Sequence, residues 1–395
     1  MSAMKRLFQL MAEKKASDIF LSVSSPINIK INGVAVPVNQ QVMDSDTIIK
    51  LLYEVLTPKQ IKEYEDTLEL NTAFTLDPYG SFRISAFKQK GTPAVVVRYI
   101  PGDIPPIDSL GLPEVLKEVI MEKRGLLLMV GATGSGKSTS LAAMLDYRNE
   151  LKSGHILTLE DPVEFIFKNK KSLVNQREVG SDTLDFKIAL KNALRQAPDC
   201  ILIGEVRDKE TMAAAIAYAQ SGHLCLATLH ANNSYHAINR IISFYPLENR
   251  PALLQDLAAT LKCIVSQRLI RNKKGSRSAA VEVMLNTRHI AELIEKGEIS
   301  EMKDAMDKSM APGSQTFEQC FFKMIRDGSI SQDEAMANAD SPSNLIWLLN
   351  NTEAPTTGPG AAPQISGTPE QKKDDPTETG GASFTEITLI TEDSH

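Results

Sequence analysis

The pattern of apolar and polar positions in residues 1–100 predicts a compact α+β domain. Apolar side chains at positions 4, 7, 8 and 11 recur with a helical period, which predicts an amphipathic helix rather than a signal peptide. Over residues 27–38, apolar and polar residues alternate on both sides of Asn32-Gly33, which is a strong hairpin signal. A helical pattern follows from residue 45 to about residue 64, and alternation predicts two more strands at 81–87 and 94–100.

Beyond a proline-rich linker at residues 101–111, the pattern changes to strands that alternate with helices. The predicted buried strands are Leu126–Val130, His155–Leu159, Cys200–Gly204 and Leu224–Leu229. Such alternation predicts an α/β domain with a mainly parallel sheet covered by helices. Residues 300–350 have a helical pattern and complete this domain, which spans 112–350. Residues 351–395 are rich in Pro, Gly, Thr and acids and are predicted to form a disordered acidic tail.

Composition and charge limit the class of protein. Apolar residues make up 42% and charged residues 23%, which is ordinary for a soluble globular protein. Eight of the 49 acids and two of the 43 bases lie in residues 351–395, which leaves 41 of each sign in residues 1–350. A neutral body argues against a nucleic-acid partner. No apolar run approaches the ~18 residues of a membrane span, so we expect no direct membrane insertion. The four cysteines form no CxxC pair, which fits a reducing cytoplasm.

A glycine-rich loop follows the first strand of the second predicted domain and opens into a helix. The loop satisfies G-x-x-x-x-G-K-[ST] in the strand–loop–helix context that the pattern requires. Glycines let backbone N–H groups turn towards phosphate oxygens, and the helix start adds the positive end of its dipole. Lys137 is expected to reach the β- and γ-phosphates, and the Ser138 hydroxyl to bind Mg²⁺. The predicted nucleotide-binding residues are Gly131, Ala132, Thr133, Gly134, Ser135, Gly136, Lys137, Ser138 and Thr139.

Acidic residues follow two later strands, at the edge where an open α/β sheet meets its ligand. Glu160 either orients or deprotonates an attacking water, or it belongs to a solvated acidic turn, and spacing alone does not separate these interpretations. Glu205 has the position of a Walker B carboxylate, with Gly204 where many P-loop enzymes have Asp. Glu205 is therefore the predicted acid of the Mg²⁺ shell or the group that polarises water.

Two histidines flank the Leu224–Leu229 strand. His230 ends the strand at the edge that carries the acidic candidates, and we interpret it as a γ-phosphate sensor. His223 precedes the strand and is left without an assigned role. Seven residues separate the two along a strand, so we do not expect them to form a zinc pair.

Taken together, these motifs resemble a known family. The segments GATGSGKST, ILTLEDPVEF, DCILIGEVRD and GHLCLATLHANNS, in that order, are similar to those of the secretion ATPases, which are hexameric motors. The segments SDIFLS, FRISAFKQK and VVVRYIP, with the late stretch 316–345, resemble more narrowly the type IV pilus retraction ATPases of the PilT and PilU kind. The resemblance covers nearly all of residues 1–350. It implies a PAS-like N-terminal α+β domain followed by a RecA-like P-loop ATPase domain.

The resemblance also implies roles at matching positions. Glu160 would be the catalytic glutamate, Glu205 the Walker B glutamate and His230 the end of the histidine box. Arg83 and Arg98 would reach a nucleotide bound at the subunit interface of a homohexamer. The implied cofactors are ATP and Mg²⁺, with Ser138 and Glu205 as metal ligands. The implied partners are a PilT-like retraction ATPase and an inner-membrane pilus platform protein, which would hold the protein at the cytoplasmic face of the inner membrane.

One departure from the retraction ATPases affects the expected role. PilT carries an Ala-Ile-Arg-Asn-Leu-Ile segment, in which Ala291 and Glu292 here replace Arg and Asn, and this chain extends past the usual PilT end. Both features favour a PilU-like ATPase that is accessory to the main retraction motor in twitching motility. One alternative is a pilus assembly or type II secretion ATPase, although those relatives typically carry a four-cysteine zinc insertion and the cysteines here form no such cluster. The other alternative is a nucleotide-gated scaffold coupled to a catalytic partner motor.

Overall fold

Six strands of the N-terminal part form one antiparallel sheet with three helices against it. The structure is a computed structural model that describes residues 2–31, 33–309 and 311–351. The strands are β1 (Asp18–Ser22), β2 (Pro26–Ile31), β3 (Val34–Val42), β4 (Glu69–Leu76), β5 (Gly80–Gln89) and β6 (Thr92–Pro101). The helices are α1 (Ala3–Lys14), α2 (Ser45–Tyr53) and α3 (Pro58–Thr67). The strand order is β3-β2-β1-β6-β5-β4, and every neighbouring pair is antiparallel.

The predicted amphipathic helix and the predicted hairpin are both confirmed. Helix α1 buries Met4, Phe8 and Met11 on one face, and the Phe8 ring stacks on Phe82 of β5 with centroids 4.3 Å apart. Strands β2 and β3 form the hairpin, with Asn32 outside the described residues. Gly33 has a φ of 86°, the left-handed conformation that a tight hairpin turn requires.

The helical stretch predicted from residue 45 to about residue 64 is confirmed, although a break divides it into two helices. Helix α2 ends at Tyr53, and α3 begins at Pro58. A proline disfavours helical backbone in the residue before it, and Thr57 is accordingly extended, with a ψ of 158°. Thr57 then forms a capping box with Gln60. The proline therefore starts a new helix instead of continuing the old one.

Seven further strands form the second sheet, and eleven helices accompany it in the described residues. The strands are β7 (Gly125–Val130), β8 (Gly154–Glu160), β9 (Ser172–Glu178), β10 (Cys200–Ile203), β11 (Leu224–Leu229), β12 (Leu261–Arg271) and β13 (Arg277–Leu285). The helices are α4 (Val115–Ile120), α5 (Lys137–Leu151), α6 (Phe186–Ala193), α7 (Lys209–Gln220), α8 (Ser234–Ser243), α9 (Arg250–Thr260), α10 (Arg288–Lys296), α11 (Met302–Asp307), α12 (Phe317–Arg326), α13 (Gln332–Asn338) and α14 (Pro342–Asn351).

The second sheet has the order β13-β12-β7-β11-β10-β8-β9. All neighbouring pairs are parallel except β12 and β13. The four predicted strands are confirmed as β7, β8, β10 and β11, and they lie side by side in the middle. Strands β7 and β11 are buried along their whole length, as expected for a sheet covered on both faces. Because these strands are parallel, the loops that follow them meet at one edge of the sheet.

Three strands of the second sheet were not predicted, namely β9, β12 and β13. The helical pattern of residues 300–350 is confirmed by α11 to α14. Residues 352–395 of the predicted acidic tail lie outside the described residues, and the domain boundaries at residues 100, 111 and 350 stay predictions. Across the part of the chain that the structure describes, no helix has both the length and the apolar content to cross a membrane.

Candidate functional site

The glycine-rich loop between β7 and α5 has backbone that only glycine adopts easily. Gly134 and Gly136 have φ values of 78° and 87°, in the left-handed region. A Cβ on Gly136 would also lie 2.7 Å from the Nε2 atom of Gln267, and a Cβ on Gly131 would lie 2.6 Å from the carbonyl oxygen of Gln267. The loop glycines therefore serve its backbone turns and its close packing against β12.

Lys137, the first residue of α5, folds back over the loop. Its Nζ donates hydrogen bonds to the carbonyl oxygens of Gly131, at 2.8 Å, and Ala132, at 2.9 Å. The residue is only 9% exposed, and this burial lowers the pKa of the ammonium group, while the carboxylates of Glu205 and Glu164 act in the opposite direction. The loop thus holds a cation at its centre.

A cavity of about 500 Å³ opens over the start of α5 and brings most of the predicted site together. It lies at the edge of the sheet where β8, β10 and β11 end. The predicted site residues that line it are Thr133, Gly134, Gly136, Lys137, Ser138, Thr139, Glu160, Glu205, His230 and Arg98. A second, larger cavity of about 920 Å³ shares Gly136, Thr139, Leu269 and Arg277 with the first. The start of α5 therefore has open space on two sides, enough for a phosphate chain and the group attached to it.

Glu160 ends β8 in a half-buried position. Its Oε1 atom accepts hydrogen bonds from Thr158 Oγ1, at 2.6 Å, and from Gln176 Nε2, at 3.3 Å. Burial raises the pKa of Glu160 to about 7, although these hydrogen bonds oppose the shift. This raised pKa distinguishes Glu160 from a carboxyl group in a solvated acidic turn, which burial would not affect. The environment of Glu160 suits a general base, while the role itself stays a prediction.

Glu205 connects the end of β10 to the end of β11. Its Oε2 atom accepts from Arg207 Nε at 2.7 Å, and its Oε1 atom lies 3.2 Å from His230 Nε2. Gly204 precedes it, where a Cβ would lie 3.1 Å from both the Glu160 Cα and the Leu159 carbonyl oxygen. The Asp common at this position in other P-loop enzymes would be crowded here, and the acid of this chain lies one residue later.

The two histidines lie at opposite ends of β11. His230 follows the strand, on the wall of the cavity, with its side chain 48% exposed. His223 precedes the strand, and its Nδ1 atom lies 3.1 Å from Ser221 Oγ, away from the loop. The structure therefore brings His230 to the predicted site and leaves His223 outside it.

The two predicted arginines face each other across β5 and β6 but line different cavities. Arg98 lines the cavity over Lys137 in its own chain, and its Nε atom lies 3.0 Å from Asp18 Oδ1. Arg83 lines a separate cavity of about 320 Å³, together with Asp161 and Glu178. The contact of these arginines with a nucleotide across a subunit interface stays a prediction.

Gln267 on β12 was missed in the sequence. Its side chain is 2% exposed and contacts both the glycine-rich loop and α5. The sequence signal for this residue was the polar triplet Ser266–Arg268 inside the apolar run that forms β12. The hydrophobic pattern alone indicates only that the apolar run is interrupted there.

Comparisons with known proteins show the family to which the chain belongs. The family model described as "Type II/IV secretion system protein" matches residues 2–337. The chain is 45% identical over 346 residues to the "Type IV pilus ATPase PilU" of Pseudomonas aeruginosa, covering 87% of this chain and 91% of that one. It is 40% identical to the "Type IV pilus retractation ATPase PilT" of the same organism, covering 86% and 98%. The crystal structure of the pilus retraction motor PilT with bound ADP superimposes with a TM-score of 0.82 at 37% identity, covering 88% and 99%.

Proposed function

We propose that this chain, which belongs to the type II/IV secretion system protein family, is an ATP-hydrolysing motor of type IV pilus retraction. One observation carries the proposal: Lys137 at the start of α5, Glu160 at the end of β8 and Glu205 just after β10 line one cavity over the glycine-rich loop. An ATPase needs a cation for the phosphates, a base for the attacking water and an acid for the metal shell, and each has a candidate here. The identity to PilU and PilT supports the pilus as the driven structure.

ATP would bind with its phosphates on the loop and the first turn of α5. Positive-φ glycines turn backbone N–H groups towards the ligand, and the helix start favours negative charge. Lys137 would exchange its two loop carbonyl partners for phosphate oxygens. The ADP bound in the similar PilT structure supports this class of ligand.

Glu160 would act as the base of the hydrolysis step. With a pKa of about 7 it accepts a proton from water at physiological pH and releases it afterwards. The Thr158 hydroxyl, 2.6 Å away, fixes the carboxyl orientation. His230 would report the state of the terminal phosphate to Glu205, since the two side chains lie 3.2 Å apart.

The donor set also fits Mg²⁺. Ser138 and Glu205 line the same cavity and offer a hydroxyl and a carboxylate oxygen, which are hard ligands of the kind that Mg²⁺ binds together with phosphates and water. These two side chains would hold the ion. When bound, it would offset the negative charge of the phosphate oxygens.

An accessory, PilU-like role is the finer part of the proposal. The segment that differs from PilT lies in α10, where Glu292 is close to half exposed and forms an ion pair with Arg288 at 3.0 Å. A carboxylate thus replaces a neutral amide on this helix. We further propose a homohexamer that acts with a PilT-like ATPase and a pilus platform protein at the cytoplasmic face of the inner membrane, with Arg98 and Arg83 near the subunit interface.

The Lys137→Ala variant tests the proposal. The purified full chain with this substitution is expected not to hydrolyse ATP, because the loop then lacks its cation. The control is Lys62→Ala on the exposed side of α3, which should hydrolyse ATP like the wild type. Retraction is measured in cells that contain this chain alone or with a PilT-like partner. Hydrolysis retained by Lys137→Ala would contradict the assigned site. Full retraction by this chain alone would contradict the accessory role.

A further inference from the structure

Gln267 occupies a central position behind the glycine-rich loop. Strand β12 runs parallel to β7, with Ser266 opposite Val130, so Gln267 lies next to the point where the loop leaves the sheet. The Gln267 Nε2 atom donates a hydrogen bond to the Ser135 carbonyl oxygen at 2.9 Å. Its Oε1 atom accepts one from Ser140 Oγ at 2.8 Å. One buried side chain therefore connects the middle of the loop to the first turn of α5.

The loop backbone is built around this glutamine. A Cβ on Gly136 would collide with the Gln267 side chain, whereas a Cβ on Gly131 would collide with the Gln267 backbone carbonyl oxygen and with Ser135 Oγ. An amide is the group that the geometry requires, because it donates with one atom and accepts with the other. A carboxylate would face the Ser135 carbonyl without a hydrogen to donate. An aliphatic side chain would remove the hydrogen-bond partner of Ser135 in the loop and that of Ser140 in α5.

The residues beside Gln267 hold the loop that follows His230. Ser266 Oγ donates to Glu282 Oε1 at 2.9 Å, and that oxygen also accepts from the Ser234 backbone N–H at 2.8 Å. Arg268 donates to the Asn232 carbonyl oxygen at 3.2 Å. Three consecutive residues of β12 thus form hydrogen bonds that connect the glycine-rich loop with the loop that follows His230.

We propose that Gln267 is a positioning residue that keeps the glycine-rich loop in its phosphate-binding shape. This inference rests on the proposed function, because it assumes that the loop binds ATP. Gln267 lies behind the loop and acts through it, so its loss changes the affinity for nucleotide more than the chemical step. The expected effect is a loss of ATP and ADP affinity of about tenfold or more, since two buried hydrogen bonds disappear together.

The test compares Gln267→Leu with a matched control in the full chain. Asn286→Leu also removes an amide that bridges two backbone carbonyl oxygens, those of Ala258 and Leu261, at the other end of β12. Both variants are expected to lower the melting temperature. Only Gln267→Leu should weaken ATP and ADP binding in calorimetry, and its KM for ATP should rise by a larger factor than its kcat falls.

The outcomes for Gln267→Leu distinguish a failure of the inference from a failure of the proposed function. If Gln267→Leu is folded and binds ATP like the wild type, the inference is wrong and the proposed function stands. If Gln267→Leu does not fold, Ser140→Ala decides, because it removes only one of the two contacts. Weakened ATP binding by Ser140→Ala then supports the inference, and wild-type binding overturns it. If the wild type itself binds neither ATP nor ADP, the proposed function fails and the inference fails with it.

Discussion

Glu160 makes a quantitative prediction about pH. A general base acts in its deprotonated form, and burial raises the pKa of Glu160 to about 7. With that pKa, about a tenth of the free enzyme carries the carboxylate at pH 6 and about nine tenths at pH 8. The kcat/KM for ATP, which reports the free enzyme, is therefore expected to rise about tenfold over this range.

The same shift predicts a change in stability, with a sign that follows from proton binding. The pKa of Glu160 rises from its ordinary value of 4.5 to about 7 on folding, so between pH 4.5 and pH 7 the folded state binds more protons than the unfolded state. The free energy of unfolding therefore falls as the pH rises from 4.5 to 7 and is constant above it. The loss amounts to at most about 3.5 kcal/mol, since one pKa unit corresponds to about 1.4 kcal/mol.

The assay uses the full chain with magnesium in excess, so that the ionisation of ATP itself contributes little. Glu160→Gln is expected to lose turnover and to gain stability relative to the wild type as the pH rises towards 8, measured by urea denaturation. Glu69→Gln, on the exposed edge of β4, is the control and should follow the wild type in both respects. A flat kcat/KM between pH 6 and 8, or wild-type turnover by Glu160→Gln, would refute the reasoning.

Two further variants test the loop and the arginine. Gly136→Ala places a side chain on left-handed backbone and against Gln267. We therefore expect the free energy of unfolding to fall by about 1–3 kcal/mol in denaturation, and ADP binding to be lost in calorimetry. ADP binding at wild-type strength would contradict this account. Arg98→Ala is expected to lower kcat but to change the free energy of unfolding by less than about 1 kcal/mol, because its ion pair with Asp18 leaves the arginine side chain 68% exposed. Turnover equal to that of the wild type would remove Arg98 from the site.

Local chemistry made much of this protein predictable from sequence. The glycine-rich loop was recognisable because its backbone turns need glycine, and the flanking apolar run needs burial on both faces. The hairpin at Asn32-Gly33 and helix α1 followed from short-range periodicity. The break within residues 45–64 also has a local cause: Pro58 marks the start of a new helix, which helical periodicity alone does not indicate.

The tertiary structure decided which residues meet. Glu160, Glu205 and His230 share a cavity because β8, β10 and β11 are parallel neighbours, whereas His223 lies at the other end of the same strand. Arg83 and Arg98 are equivalent in the sequence pattern, yet only Arg98 lines the cavity over Lys137.

Gln267 shows most clearly which part of the site the sequence alone did not determine. It follows the glycine-rich loop by more than a hundred residues, and nothing in its own segment indicates a link to phosphate binding. The link exists because β12 is inserted beside β7, which places one buried amide behind the loop. Sequence determined the chemistry of each loop, through backbone freedom and side-chain type. Strand order and register, which depend on packing across the whole sheet, determined how those loops combine into one site.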